Sequence, residues 1–424
     1  MTRIRTRPTL LSLLLCVSFA AHADNYGTAR TKLVEAYRAG DFSAMQVAAL
    51  ESLDARPDYP GALFNLALAH TLAGDRNAAI TALQRLTALE VDLDIDKNPA
   101  FVPLQEHDDW QALVSAVAVL RQPVGSATIA WQFDDSEFVP EGIAVDGDDV
   151  YLGSIRSGAV VRVSGNEVTY LRPKGSSPGG SIFGMRRHED RLWYLAVKTD
   201  QYQVEMQREN APDGSALCQL KIVGGGGGSC TVLLNNADDL WTTLGDLIFV
   251  NGIIYTSDQT DGPVYSIDLG GNGFNTVVEK GEFVSPQGLV ADDSGDYLYV
   301  ADYRGGIFRV RLDGYAAPER LDSAASLYGI DGLYRYGDWL IAVQNGITPH
   351  RVSAHRLADD GLRVIESRIL LMNHPDFDEP NLGEVVGDDF YVIANSHWNR
   401  FDADNNLPEG LSGPIVLKIE LELD

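Results

Sequence analysis

Hydrophobic positions follow two rhythms along this chain, and the change falls near Pro123. From residue 25 to about residue 120, apolar side chains recur every three or four positions, the spacing that places them on one face of a helix. Within this stretch Ala39-Gly40-Asp41 recurs as Ala73-Gly74-Asp75, a shift of 34 residues, and such a period belongs to stacked helix-turn-helix repeats. Leu63, Leu66, Ala67 and His70 fall on one face of the first helix of the second copy. Ala79, Leu83 and Leu86 face them from its second helix, and Pro57 marks the junction between copies. Two copies are too few to bury a continuous core. A third, degenerate unit is expected around Asp109 to Leu113, with Trp110 and Leu113 capping the stack or docking it on the next domain.

Beyond Pro123, short apolar runs alternate with Gly- and Asp-rich turns and the helical period is lost. One unit recurs: a strand containing x-Gly-apolar, a tight turn, then a strand rich in Tyr and aliphatic residues. Its copies are Pro140-Glu141-Gly142-Ile143, Ile182-Phe183-Gly184-Met185, Leu244-Gly245-Asp246-Leu247, Pro286-Gln287-Gly288-Leu289, Ile330-Asp331-Gly332-Leu333 and Asn381-Leu382-Gly383-Glu384. The spacing is 42 to 51 residues, with one interval of 62. Six such units predict a six-bladed β-propeller, in which a ring of four-stranded blades leaves only short, protected edges. A β-sandwich does not account for six like units. Thr128 to Phe133 and Ile415 to Glu422 are expected to share one blade and latch the ring. The fold class is therefore mainly β: a helical domain over 24–122 and a propeller over 123–424, behind an N-terminal segment 1–23 of different character.

That segment sets the expected compartment. Arg3, Arg5 and Arg7 precede an apolar run from Leu10 to Ala21, and Ala21-His22-Ala23 forms an A-x-A cleavage site. The run is too short to span a bilayer of about 30 Å as a helix. Leu15 stands before Cys16, where a lipoprotein needs a small residue. The reading is a cleaved signal peptide, a periplasmic or secreted protein, and no membrane insertion after cleavage. In that oxidising setting Cys218 and Cys230, which flank the run Gly224 to Gly228, are expected to form a disulfide.

Charge narrows the partners. The chain carries 33 Lys and Arg against 60 Asp and Glu, a formal net charge of −27. Such a surface repels phosphate backbones and anionic lipid, which excludes nucleic acid and acidic membranes as partners. Cations and neutral or cationic small molecules remain compatible.

In a propeller the first strand of each blade lines the axis. The second residue of each four-residue copy therefore sits at one level in all six blades: Glu141, Phe183, Gly245, Gln287, Asp331 and Leu382. Carboxylates converging in a dry channel repel, and burial raises the cost of their charge. A bound cation resolves this, and oxygen-only donors select a hard ion, Ca²⁺ before Mg²⁺, with Mn²⁺ or Zn²⁺ as further candidates.

Over about 70 residues the helical stretch resembles the tetratricopeptide family, which implies either a peptide-binding groove or a structural cap. From about residue 125 to 424 the chain resembles the senescence-marker-protein/gluconolactonase family, with the paraoxonases as more distant relatives. The matching residues are Pro-Glu-Gly-Ile at 140, Pro-Gln-Gly-Leu at 286 with Tyr-Val-Ala-Asp at 299, and Ile-Asp-Gly-Leu at 330. The resemblance implies metal-dependent hydrolysis of a lactone or related ester, with four slots supplying Glu, Asn, Asn and Asp to one divalent cation. Glu141 and Asp331 match the two acids. Gln287 stands for one Asn. Gly245 stands for the other, with Asp246 beside it as the acid that often follows. Asp331 is then both metal ligand and general-base candidate.

His374, in the loop Met372 to Asp378, and His397, in the loop Asn395 to Asn399, are further candidates for a base or a substrate contact if their loops open on the channel. Asn345-Gly346 before His350 reads first as a turn. There is no His-Glu-x-x-His and no phosphate-binding loop. Two functional expectations follow: a divalent-metal-dependent lactone or ester hydrolase, or a non-catalytic scaffold whose helical repeats bind a protein.

Overall fold

The computed structural model describes residues 19–176, 180–202, 214–222, 228–235, 243–260, 262–269, 273–314 and 316–424. Arg3, Arg5, Arg7, Cys16 and all of the glycine run except Gly228 lie outside the described residues.

Five α-helices come first: α1 (Phe19–Ala39), α2 (Phe42–Ala55), α3 (Pro60–Leu72), α4 (Arg76–Ala88) and α5 (Trp110–Leu120). The first runs through the expected cleavage site at Ala23. The 34-residue period is visible in the backbone. Asp41 caps α2 by accepting from the Ala44 N–H at 3.0 Å, and Asp75 caps α4 by accepting from the Ala78 N–H at 3.1 Å. Their backbone angles agree within a degree. The glycine before each has positive φ, which lets the chain reverse between paired helices. Each cap is worth about 1 kcal/mol. Leu63, Leu66, Ala67, Ala79, Leu83 and Leu86 are buried together as their spacing predicts. Trp110 and Leu113 join the same cluster, and so do Tyr328 and Ile347 from the propeller.

The remainder forms six four-stranded antiparallel sheets. Five are consecutive meanders. In the sixth, Thr128–Gln132 pairs with Ile415–Glu420, so strands from both ends of this region close the ring. The first strands of successive blades touch one another all the way round. The recurrent Gly makes this possible. A Cβ at Gly142 would lie 2.4 Å from the Phe183 carbonyl oxygen, and one at Gly288 would lie 2.4 Å from the Leu333 nitrogen.

The first strands of blades one to five carry a register shift at the recurrent motif. The slot residue therefore sits in a bulge, where the ladder is interrupted and a side chain can be turned away from its strand neighbours.

The helical layer lies against blades four and five. The Asp92 N–H donates to the Thr348 carbonyl at 2.7 Å, and the Tyr328 hydroxyl donates to the Pro57 carbonyl at 2.7 Å. Arg351 donates to the Glu90 carbonyl. Cys218 and Cys230 lie opposite each other on the outer strands of blade two and form a disulfide. Among the described residues no helix is long and apolar enough to cross a membrane.

Candidate functional site

A cavity of about 500 Å³ opens at the propeller axis, and Glu141, Phe183, Gln287 and Asp331 line it from the first strands of blades one, two, four and five. Glu141 is only 4% exposed. Its Oε2 accepts from the Asn381 amide at 2.6 Å and from the Trp398 indole N–H at 2.6 Å. Asp331 Oδ2 accepts from the Asn345 amide at 2.7 Å, and the Tyr303 hydroxyl donates to Asn345 Oδ1 at 2.9 Å. The other oxygen of each acid, Glu141 Oε1 and Asp331 Oδ1, takes no hydrogen bond among the described residues.

Burial raises the Glu141 carboxyl well above its usual range, and the facing Asp331 carboxylate raises it further, against the donors Trp398 and Asn381. Burial also pushes Asp331 up to about 7, opposed by Asn345 and assisted by the charges of Glu379 and Asp246. Glu379, a third acid on the cavity wall, is raised chiefly by burial. Burial and the Asp331 charge raise the Tyr303 hydroxyl, so it remains a neutral donor.

The empty slot of blade three is filled from outside its own strand. A Cβ at Gly245 would lie 2.4 Å from Gln259 Nε2, so the Gln259 amide takes the space a side chain there would need. Gln259 donates to Gln287 Oε1, and Gln287 Nε2 donates to Ser285 at 3.0 Å.

Three expected site residues lie elsewhere. Asp246 does not line the cavity. It is buried and paired with Arg186 at 2.9 Å, because the bulge in its strand directs it towards blade two rather than the axis. His397 is 3% exposed, but both ring nitrogens are engaged: Nδ1 with Asp378 at 2.8 Å, Nε2 with the Ser412 carbonyl at 3.1 Å. It fastens the last loop and does not face the cavity. His374 Nδ1 accepts from the Asp376 N–H at 3.3 Å within its own turn, and neither His374 nor His350 reaches the cavity wall.

Sequence reasoning passed over Gln259, Tyr303, Asn345, Glu379 and Trp398. A positional signal was available for three of them. Gln259, Tyr303 and Asn345 each follow directly on the second strand of a blade, ending at Asp258, Asp302 and Gln344. That is the point where the chain turns over the axial rim. Glu379 and Trp398 come from irregular loops and carry no such mark.

The donor chemistry suits a hard divalent cation: carboxylate and amide oxygens, with no sulfur or imidazole on the wall among the described residues. Among the described residues, one acidic triad brings its oxygens within 4.8 Å of one another, Asp92, Asp94 and Asp96. Arg121 already neutralises it, at 2.6, 3.1 and 2.7 Å.

Fold and site together define a six-bladed propeller with a buried acidic cavity on its axis. No family model and no curated protein matches the chain. Solved structures resemble the propeller region. A Thermus thermophilus protein, provisionally described as an oxidoreductase (glucose dehydrogenase), shares 14% identity at a TM-score of 0.49, over 69% of this chain and 100% of its own. A Lactobacillus plantarum protein shares 12% identity at a TM-score of 0.40, over 60% of this chain and 77% of its own. The WD40 propeller domain of Doa1 shares 9% identity at a TM-score of 0.42, over 70% of this chain and 98% of its own. None of these likenesses transfers an activity; the sheet order itself defines the fold here.

Proposed function

We propose that this protein is an exported, gluconolactonase-like hydrolase of a lactone or ester. Glu141 and Asp331, with the Gln287 amide oxygen, would hold a divalent cation, Ca²⁺ first. One observation carries the reading: the buried Glu141 and the partly buried Asp331 share the axial cavity, each with one oxygen bonded and the other free of hydrogen bonds among the described residues. Two such acids are costly to keep side by side unless a proton or a cation intervenes. The segment 1–23 is read as a signal peptide directing the chain to the periplasm or outside, which the disulfide supports. The matched caps at Asp41 and Asp75 support a tetratricopeptide-like reading of residues 24–122, ahead of a propeller over 123–424.

A bound cation supplies a Lewis acid for the carbonyl of the substrate. The chain's own residues do the rest. Asp331 Oδ1, which takes no hydrogen bond among the described residues, accepts the proton of the attacking water. Asn345, itself oriented by Tyr303, fixes the carboxylate plane. Trp398 and Asn381 hold Glu141. Phe183 and Trp398, with ring centroids 6.2 Å apart, give an apolar wall for the acyl part of the substrate.

The test is turnover of a panel of lactones and aryl esters with Ca²⁺ present. Asp331→Asn should lower turnover at least about 100-fold, the usual contribution of a positioned base. Equal rates in wild type and variant would overturn the assignment. The scaffold reading has its own support, because Gln259 fills one slot and no histidine among the described residues faces the cavity. It expects no turnover of any substrate, and loss of a protein association when the exposed helical face is altered.

A further inference from the structure

A second cavity, of about 530 Å³, lies between the helical layer and the propeller. Its helical side is formed by Tyr26 and Arg30 of α1, Arg56 at the end of α2, and Tyr59 at the start of α3. Tyr328 and Arg304 face them from the propeller. Among the described residues no Asp or Glu lines this cleft, although acids outnumber Lys and Arg by 60 to 33 in the chain. Three guanidinium groups converge there, and none of them makes an ion pair or a side-chain hydrogen bond among the described residues.

Arg56 is the centre of the argument, because it is only 9% exposed. Its Cζ stacks 3.8 Å from the Tyr26 ring centroid and lies 5.7 Å from that of Tyr59. Stacking covers the faces of a guanidinium and leaves the N–H groups at its edge. Asp302 lies within electrostatic reach of Arg56 but makes no ion pair with it, and its carboxylate accepts from the backbone N–H groups of Val284, Ser285 and Arg304 at 2.7, 3.3 and 2.9 Å. The buried Arg56 edge therefore has no direct side-chain partner among the described residues, and an arginine edge matches a carboxylate in two-point geometry.

We propose that this cleft binds a small organic carboxylate with a flat aromatic body. Arg56 and Arg304 hold the anion, Arg30 steers it, and the tyrosine rings pack against its faces. The volume falls within the range of small-molecule sites. The cleft shares Tyr303 and Arg304 with the axial cavity, so the two join at the rim. The inference does not rest on hydrolysis, because anion binding here needs neither Asp331 nor a cation.

The experiment is calorimetric titration of the chelator-treated protein with 2-naphthoate at low salt, beside its neutral counterpart 2-naphthamide and inorganic phosphate. Chelation removes any axial cation that would hold the carboxylate instead. We expect 2-naphthoate to bind with a Kd below about 1 mM, and both comparison probes to bind at least about tenfold more weakly. Arg56→Met should weaken 2-naphthoate at least about tenfold. Arg304→Gln and Arg30→Gln alter exposed side chains that the fold does not use, and each should weaken it about threefold or more. The proposal is overturned if 2-naphthoate fails to bind, if 2-naphthamide or phosphate binds as well, or if Arg304→Gln and Arg30→Gln both match wild type.

Discussion

The indole N–H of Trp398 donates to Glu141 Oε2 at 2.6 Å, across a separation of 257 residues. Trp398 belongs to the last loop and Glu141 to the first blade, so this bond spans the closure of the ring at the cavity. A donor to a carboxylate favours its charged form. Removing the donor should let burial and Asp331 raise Glu141 further. In Trp398→Phe the pH dependence of cation affinity should therefore move upward by about one unit or more, while circular dichroism stays unchanged. An unmoved pH profile would show that Glu141 does not bind the cation.

Asp331 makes a pH prediction with a definite sign. Its carboxyl is raised by burial from 3.8 to about 7 in the fold, so the folded state holds a proton that the unfolded chain has already lost. Stability from this group is full below its unfolded value of 3.8 and is lost as pH rises through about 7. Without metal, Asp331→Asn should melt several degrees above wild type at pH 8, and the gap should close towards pH 5. Saturating Ca²⁺ should raise wild type alone at pH 8. Scanning calorimetry at the two pH values reads all of this.

His397 and His374 should separate structure from chemistry. His397 is buried between Asp378 and Ser412, so His397→Ala should cost about 1–3 kcal/mol in a denaturant melt. His374→Ala should leave both melting and turnover within about twofold of wild type, as expected for a turn residue outside the cavity. A large loss of turnover in His374→Ala would return that histidine to the site.

Gly245 and Gln259 form a pair in which one residue stands in for the other. Gly245→Asn alone should destabilise the protein, since its Cβ would fall 2.4 Å from Gln259 Nε2. Combining it with Gln259→Ala removes the clash and brings an amide oxygen to the slot directly. The double variant should recover wild-type stability and bind Ca²⁺ at least about threefold more tightly by calorimetry. Weaker binding than wild type would mean that the Gln259 amide is itself the better arrangement.

The propeller was legible because its signals are local and repeated. Six recurrent glycine-containing strands and their turns mark the blades, and the 34-residue shift marks the helix pairs. The slots of Glu141, Gln287 and Asp331 followed from the same repetition, since a shared backbone position implies a shared level. What the repeat could not reveal is how each slot is completed. Gln259 occupies the place of Gly245 from a different strand end, and Trp398 and Glu379 arrive from irregular loops. Asp246 misled because its chemistry suited a metal while its place in the bulge served Arg186. His397 misled likewise: a polar loop near the rim was the right region, but Asp378 and Ser412 had already engaged the ring.

The central claim is that Glu141 and Asp331 together hold one divalent cation. Calorimetric titration of the chelator-treated protein with Ca²⁺ at pH 8 tests it most directly. The account predicts binding of about one ion per chain, abolished in Asp331→Asn and in Glu141→Gln, with both variants still folded. No heat from wild type at millimolar Ca²⁺, Mg²⁺, Mn²⁺ or Zn²⁺ would contradict it, as would binding that both variants retain.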